Sequence, residues 1–359
     1  MTNKPKIKDG VTVLYRKIKT GYQVSFYFPS SSKSYSFLLN RKGFTCLSFL
    51  KGELSVVEIA EKCSIHLSGL KHLINVLQGA GVLELNPISV PKKYERYARQ
   101  MNFFADFETE NVSRLNMQDS LAKASVGVIG LGGIGSWVIN GLALAGIRNL
   151  TLIDPDVVEI SNLSRQCLYG VKDVGYKKTR AIKRHLKLLD PKIKCECIEE
   201  KVDSIKKCRG LINGLDLVIN CADYPDVDVM NRIVSSACFP RKIPHILCGG
   251  YDGHLSFIGP TIIPGETPCW FCYERKIDLD KKKSMLKHLP ITDSHVQGGS
   301  IASISAITAN IHVIEAVRIL THWSQPKMIG CIGEFDFLNL NITYSSFKKQ
   351  RHCKQCGKD

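Results

Sequence analysis

The stretch GVIGLGGIGSWVINGLALAGIRNLTLIDPD, residues 127–156, leaves a chain of this kind few folds to choose from. Gly130, Gly132 and Gly135 follow an apolar run that reads as a strand and open a run that reads as a helix, and a second apolar run ends at Asp154. Glycines at such a turn let the backbone approach a phosphate, the helix N-terminus favours its negative charge, and the acid after the second strand takes ribose hydroxyls. Residues 124–147 are uncharged over a length that would span a bilayer, but seven glycines, an Asn and a Trp interrupt them. Strand, tight turn and helix account for them better. NAD and ATP use the same physics at such a turn, so the motif alone does not choose between hydride transfer and ATP cleavage.

The next segment makes the choice. PDVVEISNLSRQCLYGVKDVGYKKTRA places Asn162, Arg165 and Lys178 downstream of Asp154. Hydride transfer has little use for several polar and cationic groups around phosphates, whereas ATP cleavage builds charge there that such groups stabilise. VINCADYPD then ends a strand at Asp223, on the side of an open parallel sheet where ligands bind. A carboxylate there suits magnesium, which takes one or two carboxylates plus substrate phosphates; the bland alternative is a helix N-cap.

The start, MTNKPKIKDG, is followed by no apolar run with a small-residue cleavage site, which places the chain in the cytoplasm with no membrane partner. Fourteen cysteines there are not a disulfide framework. Two CxxC pairs, CWFC at 269–272 and CKQC at 353–356, stand 84 residues apart. Cys269, Cys272, Cys353 and Cys356 offer four thiolates for a closed, structural zinc site that ties the chain end to the core, with a redox disulfide as the weaker alternative.

The fold class expected is α/β. Residues 89–359 alternate strands (SVGVIG, NLTLID, KCECIEE, LDLVINC, PHILCGG) with helical stretches such as KTRAIKRHLKLL, as in a Rossmann-like domain with a mainly parallel sheet. Residues 1–88 read as three short strands, three helical segments near 41–50, 55–63 and 67–79, and a returning strand GVLEL, which suggests a small winged-helix-like module. Ser55 with Glu58 fits a capping box at the second helix. NPISVPKKYE reads as a linker, and the lysine-rich segment 274–290 as a mobile loop or lid. The net charge of +16 implies an acidic partner, and residues 1–94 carry fourteen Lys and Arg against five Asp and Glu.

RYARQ, GLGGIG, LIDPD, SNLSRQ, VGYKK, NCAD and the two CxxC pairs, in this order, resemble the ThiF, MoeB and HesA group of carboxylate-adenylating enzymes from about Arg96 to the C-terminus. The resemblance implies that Gly130, Gly132, Gly133 and Gly135 cradle ATP, that Asp154 holds its ribose, and that Asn162, Arg165 and Lys178 contact its phosphates. Asp223 would bind magnesium and the four cysteines zinc. Arg99 would reach into the site of a neighbouring subunit, which implies a homodimer. Residues 273–330 contain no cysteine, so a thioester relay from that loop is not expected.

An amino-terminal module is a mark of the peptide-modifying branch of this group, in which a winged-helix-like clamp holds the leader of a ribosomally made precursor peptide. The resemblance thus implies adenylation of a peptide carboxylate in natural-product biosynthesis. The pantocin-type outcome, activation of glutamate side chains and condensation with loss of water, is preferred. The microcin-type outcome, a nucleotide-peptide conjugate formed at a C-terminal residue, and activation of a ubiquitin-like sulfur carrier are the alternatives. DNA binding by the amino-terminal module is disfavoured, because LSGLKHLINVLQGAGV offers one Lys, one His and no Arg to a groove.

Overall fold

The computed structural model describes residues 3–29, 31–85, 87, 90–109, 112–284 and 299–357. They fall into two compact units, one up to Ala98 and one from Arg99 on.

The first unit is built on β2 (Thr12–Ile18), β3 (Gly21–Phe28) and β4 (Lys33–Leu39), an antiparallel sheet in the order β2-β3-β4, after a two-residue β1 (Lys6–Ile7). Alternation along β3 buries Val24 and Phe26, which meet Ile59, Leu70 and Leu77 from α2 (Val56–Lys62) and α3 (Leu67–Gly79); α1 (Arg41–Leu47) adds Cys46. The expected capping box is present: Ser55 Oγ accepts the Glu58 N–H, and the Glu58 carboxylate accepts the Ser55 N–H at 2.7 Å. Hydrogen bonding to the carboxyl from the Ser55 side chain and the Ser55 backbone N–H holds the Glu58 carboxyl below its ordinary range. β5 (Leu83–Glu84) returns to pair with β1. Of the linker read at NPISVPKKYE, Asn86, Ile88 and Ser89 lie outside the described residues, and Lys92–Tyr97 forms a 3-10 turn.

The second unit opens with α4 (Ala98–Phe104) and α5 (Arg114–Lys123) and then alternates β6 (Ser125–Ile129), α6 (Gly133–Ala145), β7 (Asn149–Ile153), α7 (Lys178–Leu189), β8 (Lys194–Ile198), α8 (Ile205–Leu211), β9 (Leu217–Asn220), α9 (Val227–Cys238) and β10 (His245–Leu247). After β11 (Tyr251–Asp252) and β12 (Leu255–Ile258), β13 (Thr261–Ile262) joins the main sheet antiparallel to β10, giving the order β13-β10-β9-β6-β7-β8. Strands β6 to β10 are parallel, in the register Ile219–Val128–Leu152 across the centre. Both faces are covered, so β6, β7 and β9 are near-continuous apolar runs, as in a Rossmann-like sheet. The uncharged run 124–147 is strand, turn and helix.

The lysine-rich segment departs from expectation. Residues 274–284 belong to α10 (Trp270–Ser284), not to a loop. No Gly or Pro occurs between Trp270 and Ser284, so the helix that starts inside CWFC has nothing to stop it. Residues 285–290 lie outside the described residues. α11 (Ala302–Thr321) packs on α6, and β14 (Cys331–Asp336) with β15 (Asn341–Ser346) completes a second sheet, β11-β12-β14-β15. By length and composition α11 passes as a membrane span, but 56% of its apolar window is buried inside the unit.

Candidate nucleotide and acyl-transfer site

The glycine turn owes its shape to two contacts that admit no side chain. Gly130 has φ +84°, and a Cβ there would lie 2.5 Å from the Ala222 nitrogen; a Cβ on Gly135 would lie 1.9 Å from the Gly130 carbonyl oxygen. Gly132, the N-cap of α6, has no side-chain cap and open space where a Cβ would stand. The first amides of α6 are thus left for an anion. Leu131 between them is held from both sides: its N–H donates to Asp154 at 2.7 Å, and its carbonyl accepts from the Tyr169 hydroxyl at 2.8 Å.

Beside this turn lies a cavity of about 990 Å³ lined by Gly130, Gly132, Gly133, Asp154, Lys178 and Asp223. Six of the residues singled out in the sequence therefore meet in one place, although they come from four separate stretches of chain. The volume is at the upper end of the usual range for ligand sites. Asp154 is buried and also accepts the Asp156 N–H at 2.8 Å. Burial pushes its carboxyl up, against the opposing pull of the Lys178 ammonium and the two amide donors. Lys178 begins α7 and reaches Asp156 at 2.9 Å. Asp223 is exposed just past β9 and lines the cavity. An exposed carboxylate beside a phosphate-binding turn is the donor set that magnesium takes.

Four predicted residues are not in the cavity wall. Gly135 faces the Gly130 carbonyl inside the turn. Asn162 is buried and its side-chain carbonyl accepts the Glu159 N–H at 3.0 Å. Arg165 donates to the Ser161 carbonyl at 3.0 Å, while its own carbonyl accepts the Trp137 indole N–H at 3.1 Å. Arg99 is exposed on α4.

Sequence reasoning missed other wall residues. Lys201 stacks over Tyr224 with its ammonium 3.9 Å from the ring centroid, Cys221 and Cys248 face each other with sulfurs 3.6 Å apart, and Tyr251 closes the wall near Gly133. Lys201 and Cys248 follow β8 and β10 and Tyr251 begins β11, where no local pattern marks them; Cys221 and Tyr224 lie inside VINCADYPD but were given no role. The rule that ligands gather at the carboxyl ends of parallel strands was the available signal.

Cys269, Cys272, Cys353 and Cys356 do converge, with all four sulfurs within 4.8 Å of one another. The Cys269–Cys353 and Cys272–Cys356 separations are both 3.4 Å and the Cys269–Cys272 separation 4.0 Å. Tetrahedral zinc with bonds of about 2.3 Å places sulfurs about 3.8 Å apart, so the four residues fit that ion. Burial raises the Cys269 and Cys356 thiols above their ordinary range, so both need a cation to ionise them.

A nucleotide turn opening onto a cavity with a lysine and carboxylates at the end of a parallel sheet defines the class: a Rossmann-like enzyme that acts on a nucleotide's phosphates. Over residues 97–358 the chain matches the ThiF family model, and it belongs to that family of adenylyltransferases. It is 28% identical over 262 residues to the molybdopterin-synthase adenylyltransferase of Salmonella typhimurium, covering 73% of this chain and 96% of that one. It is 27% identical over 271 residues to the heterocyst protein HesA of Trichormus variabilis, covering 75% and 91%. Among solved structures, E. coli MccB with ATP superposes with a TM-score of 0.76 at 22% identity, over 98% of this chain and 99% of that one. PaaA superposes with a TM-score of 0.73 at 22% identity, over 96% and 100%. The chain is an ATP-dependent adenylating enzyme, and enzymes of this family use ATP and magnesium.

Proposed function

We propose that this enzyme adenylates a carboxylate, that of glutamate side chains, in a ribosomally made precursor peptide. The observation that carries the proposal is coverage. The fold of MccB and of PaaA runs through the first unit as well as the second, whereas the Salmonella adenylyltransferase matches 73% of the chain. MccB is described as a microcin biosynthetic enzyme and was solved with N-formylated MccA. The first unit, residues 1–88 in this reading, serves as a winged-helix-like clamp: β2 and β4 are the edge strands of its sheet, where an extended leader adds a strand.

In this reading a carboxylate oxygen of the peptide attacks the α-phosphorus of ATP, the bond to the β-phosphate oxygen breaks, and pyrophosphate leaves. Gly130, Gly132 and Gly133 cradle the phosphates at the α6 N-terminus, Asp154 holds the ribose, and Lys178, Arg165 and Asn162 take the charge that builds on the phosphates. Magnesium on Asp223 would neutralise the leaving pyrophosphate. Arg99 acts from a second copy of the chain in a homodimer. A nucleophile within the peptide then displaces AMP, closing a ring with net loss of water. Zinc on the four cysteines is structural, and the enzyme works in the cytoplasm.

The test is incubation of the purified chain with ATP, magnesium and the short peptide encoded beside its gene, following nucleotides and peptide mass. AMP with a dehydrated peptide supports cyclisation; AMP retained on the peptide moves the enzyme to the microcin type. The second reading, sulfur-carrier activation, is favoured by the names of the curated relatives, one of them the sulfur carrier protein adenylyltransferase of Thermus thermophilus. It requires AMP formation with a small protein ending in Gly-Gly and none with the peptide.

A further inference from the structure

The chain's positive charge is concentrated in two places. Residues 1–94 hold fourteen Lys and Arg against five Asp and Glu, and residues 172–194 hold nine against two; everything else is balanced at 26 against 26. The second concentration centres on α7. Its outer face carries Arg180, Lys183, Arg184 and Lys187 at helical spacing, all exposed, and no acid lies between Lys178 and Leu189. These side chains, with His185 and Asp173, line an open groove of about 610 Å³.

Two of the four cations are already paired, Arg180 with Glu199 and Arg184 with Asp173. Lys187 caps the carbonyl of Pro191 at 2.9 Å, and Lys183 has no carboxylate within ion-pair distance among the described residues. The two lysines therefore stand open to an anion on a face whose arginines are fixed. The face also has a direction. α7 begins with Lys178 in the wall of the catalytic cavity and runs from there, so the cations at 180 to 187 lie within about 15 Å of the reaction centre along the helix.

We propose that this outer face of α7 docks an acidic segment of the polypeptide whose carboxylate is activated, holding residues next to the reacting one. The inference rests on the reading that the substrate is a polypeptide. Charge complementarity selects an acidic peptide: carboxylates alternate along an extended chain at about 7 Å, close to the spacing of successive cations on a helix face. A single-stranded nucleic acid would look for stacking aromatics in the groove. Among the described residues no Phe, Tyr or Trp lines the groove, and one face of the Tyr176 ring is taken by the Arg184 guanidinium, 5.0 Å from its centroid.

The experiment is anisotropy of fluorescein-labelled octaglutamate binding to the full-length protein without ATP, at low and at physiological salt. Lys183→Glu with Lys187→Glu weakens binding about tenfold, and the loss shrinks as salt rises. Lys206→Glu with Lys349→Glu makes the same change in net charge on other exposed sites of the second unit and costs less than about threefold. An equal loss in both double variants reveals a general charge effect and overturns the proposal. So does binding by the α7 variant within about twofold of the parent, or a loss confined to a labelled oligodeoxynucleotide of equal charge. Pyrophosphate exchange with ATP, measured on the same samples, reports adenylation separately, so failure of the docking face and failure of the activation reading are told apart.

Discussion

The Lys178 ammonium lies 2.9 Å from the Asp156 carboxylate, with the lysine side chain 8% exposed and the aspartate 60%. A nearly buried cation is thus held in the cavity wall by a partner that solvent can reclaim. In the proposed reaction an incoming phosphate takes over the ammonium, and Asp156 swings out at little cost because its own pairing is half solvated. Lys178→Ala is expected to lower AMP formation by about 10²- to 10³-fold, and Asp156→Asn by less than about tenfold. Steady-state assay of both variants checks the ordering; the reverse order would assign the chemistry to the carboxylate.

Arg165 points to the Ser161 carbonyl in the resting structure, and its backbone is pinned by Trp137. Its guanidinium must leave that carbonyl to meet a phosphate, while the backbone stays. Arg165→Ala should therefore abolish ATP cleavage and shift the melting temperature by no more than about 4 °C, because one surface-side hydrogen bond is lost. Retained activity would remove Arg165 from the phosphate site.

The glycines separate by role. A methyl on Gly135 would stand 1.9 Å from the Gly130 oxygen, whereas one on Gly132 meets nothing within 4 Å. Gly135→Ala is expected to destabilise the fold by about 3 kcal/mol or more, as forced overpacking against backbone does. Gly132→Ala should keep the melting temperature and weaken ATP binding, since the methyl would stand where the phosphate approaches. Thermal melts and ATP titrations of the two variants read these effects independently.

The α/β architecture was legible because its signals are local. The helix Lys178–Leu189 coincides with the stretch KTRAIKRHLKLL, and the Ser55–Glu58 box marks the start of α2. The segment 274–290 misled because a run of lysines and aspartates is as compatible with a solvated helix as with a loop; only its freedom from Gly and Pro up to Ser284 distinguished the two. In the site, glycines and charged residues after strands announced themselves. Lys201, Cys248 and Tyr251 did not, since only the fold brings the ends of β8 and β10 and the start of β11 to one cavity.

The four cysteine sulfurs bind one zinc per chain in this account, measurable by elemental analysis of the purified protein. Cys353→Ser, or prolonged chelation, should lower the metal content and the melting temperature together, since the site fastens residues 353–356 to Cys269 and Cys272. Full metal content in the variant would contradict a four-sulfur site.

Two buried histidines give stability a pH dependence. Burial holds His245 and His312 down, each to about 4, while in the unfolded chain a histidine titrates near 6.5. The unfolded state therefore binds more protons between those values, and stability is lost as pH falls from about 6.5 towards 4, by up to about 1.4 kcal/mol per pH unit for each histidine. Urea midpoints should drop from pH 7 to pH 5. His245→Gln should flatten that slope, because His245 lies between the Ile243 carbonyl and Ser235 Oγ, with no carboxylate partner among the described residues. A slope unchanged by the substitution would show that other groups govern it.

The central claim, adenylation of a peptide carboxylate, is tested most directly with a precursor peptide whose carboxylates carry heavy oxygen. Attack on the α-phosphorus and later release of the acyl group leave one carboxylate oxygen on AMP. Mass spectrometry is predicted to find AMP bearing one heavy oxygen for each activation, together with unlabelled pyrophosphate. Unlabelled AMP, or ADP and phosphate in its place, would contradict the account.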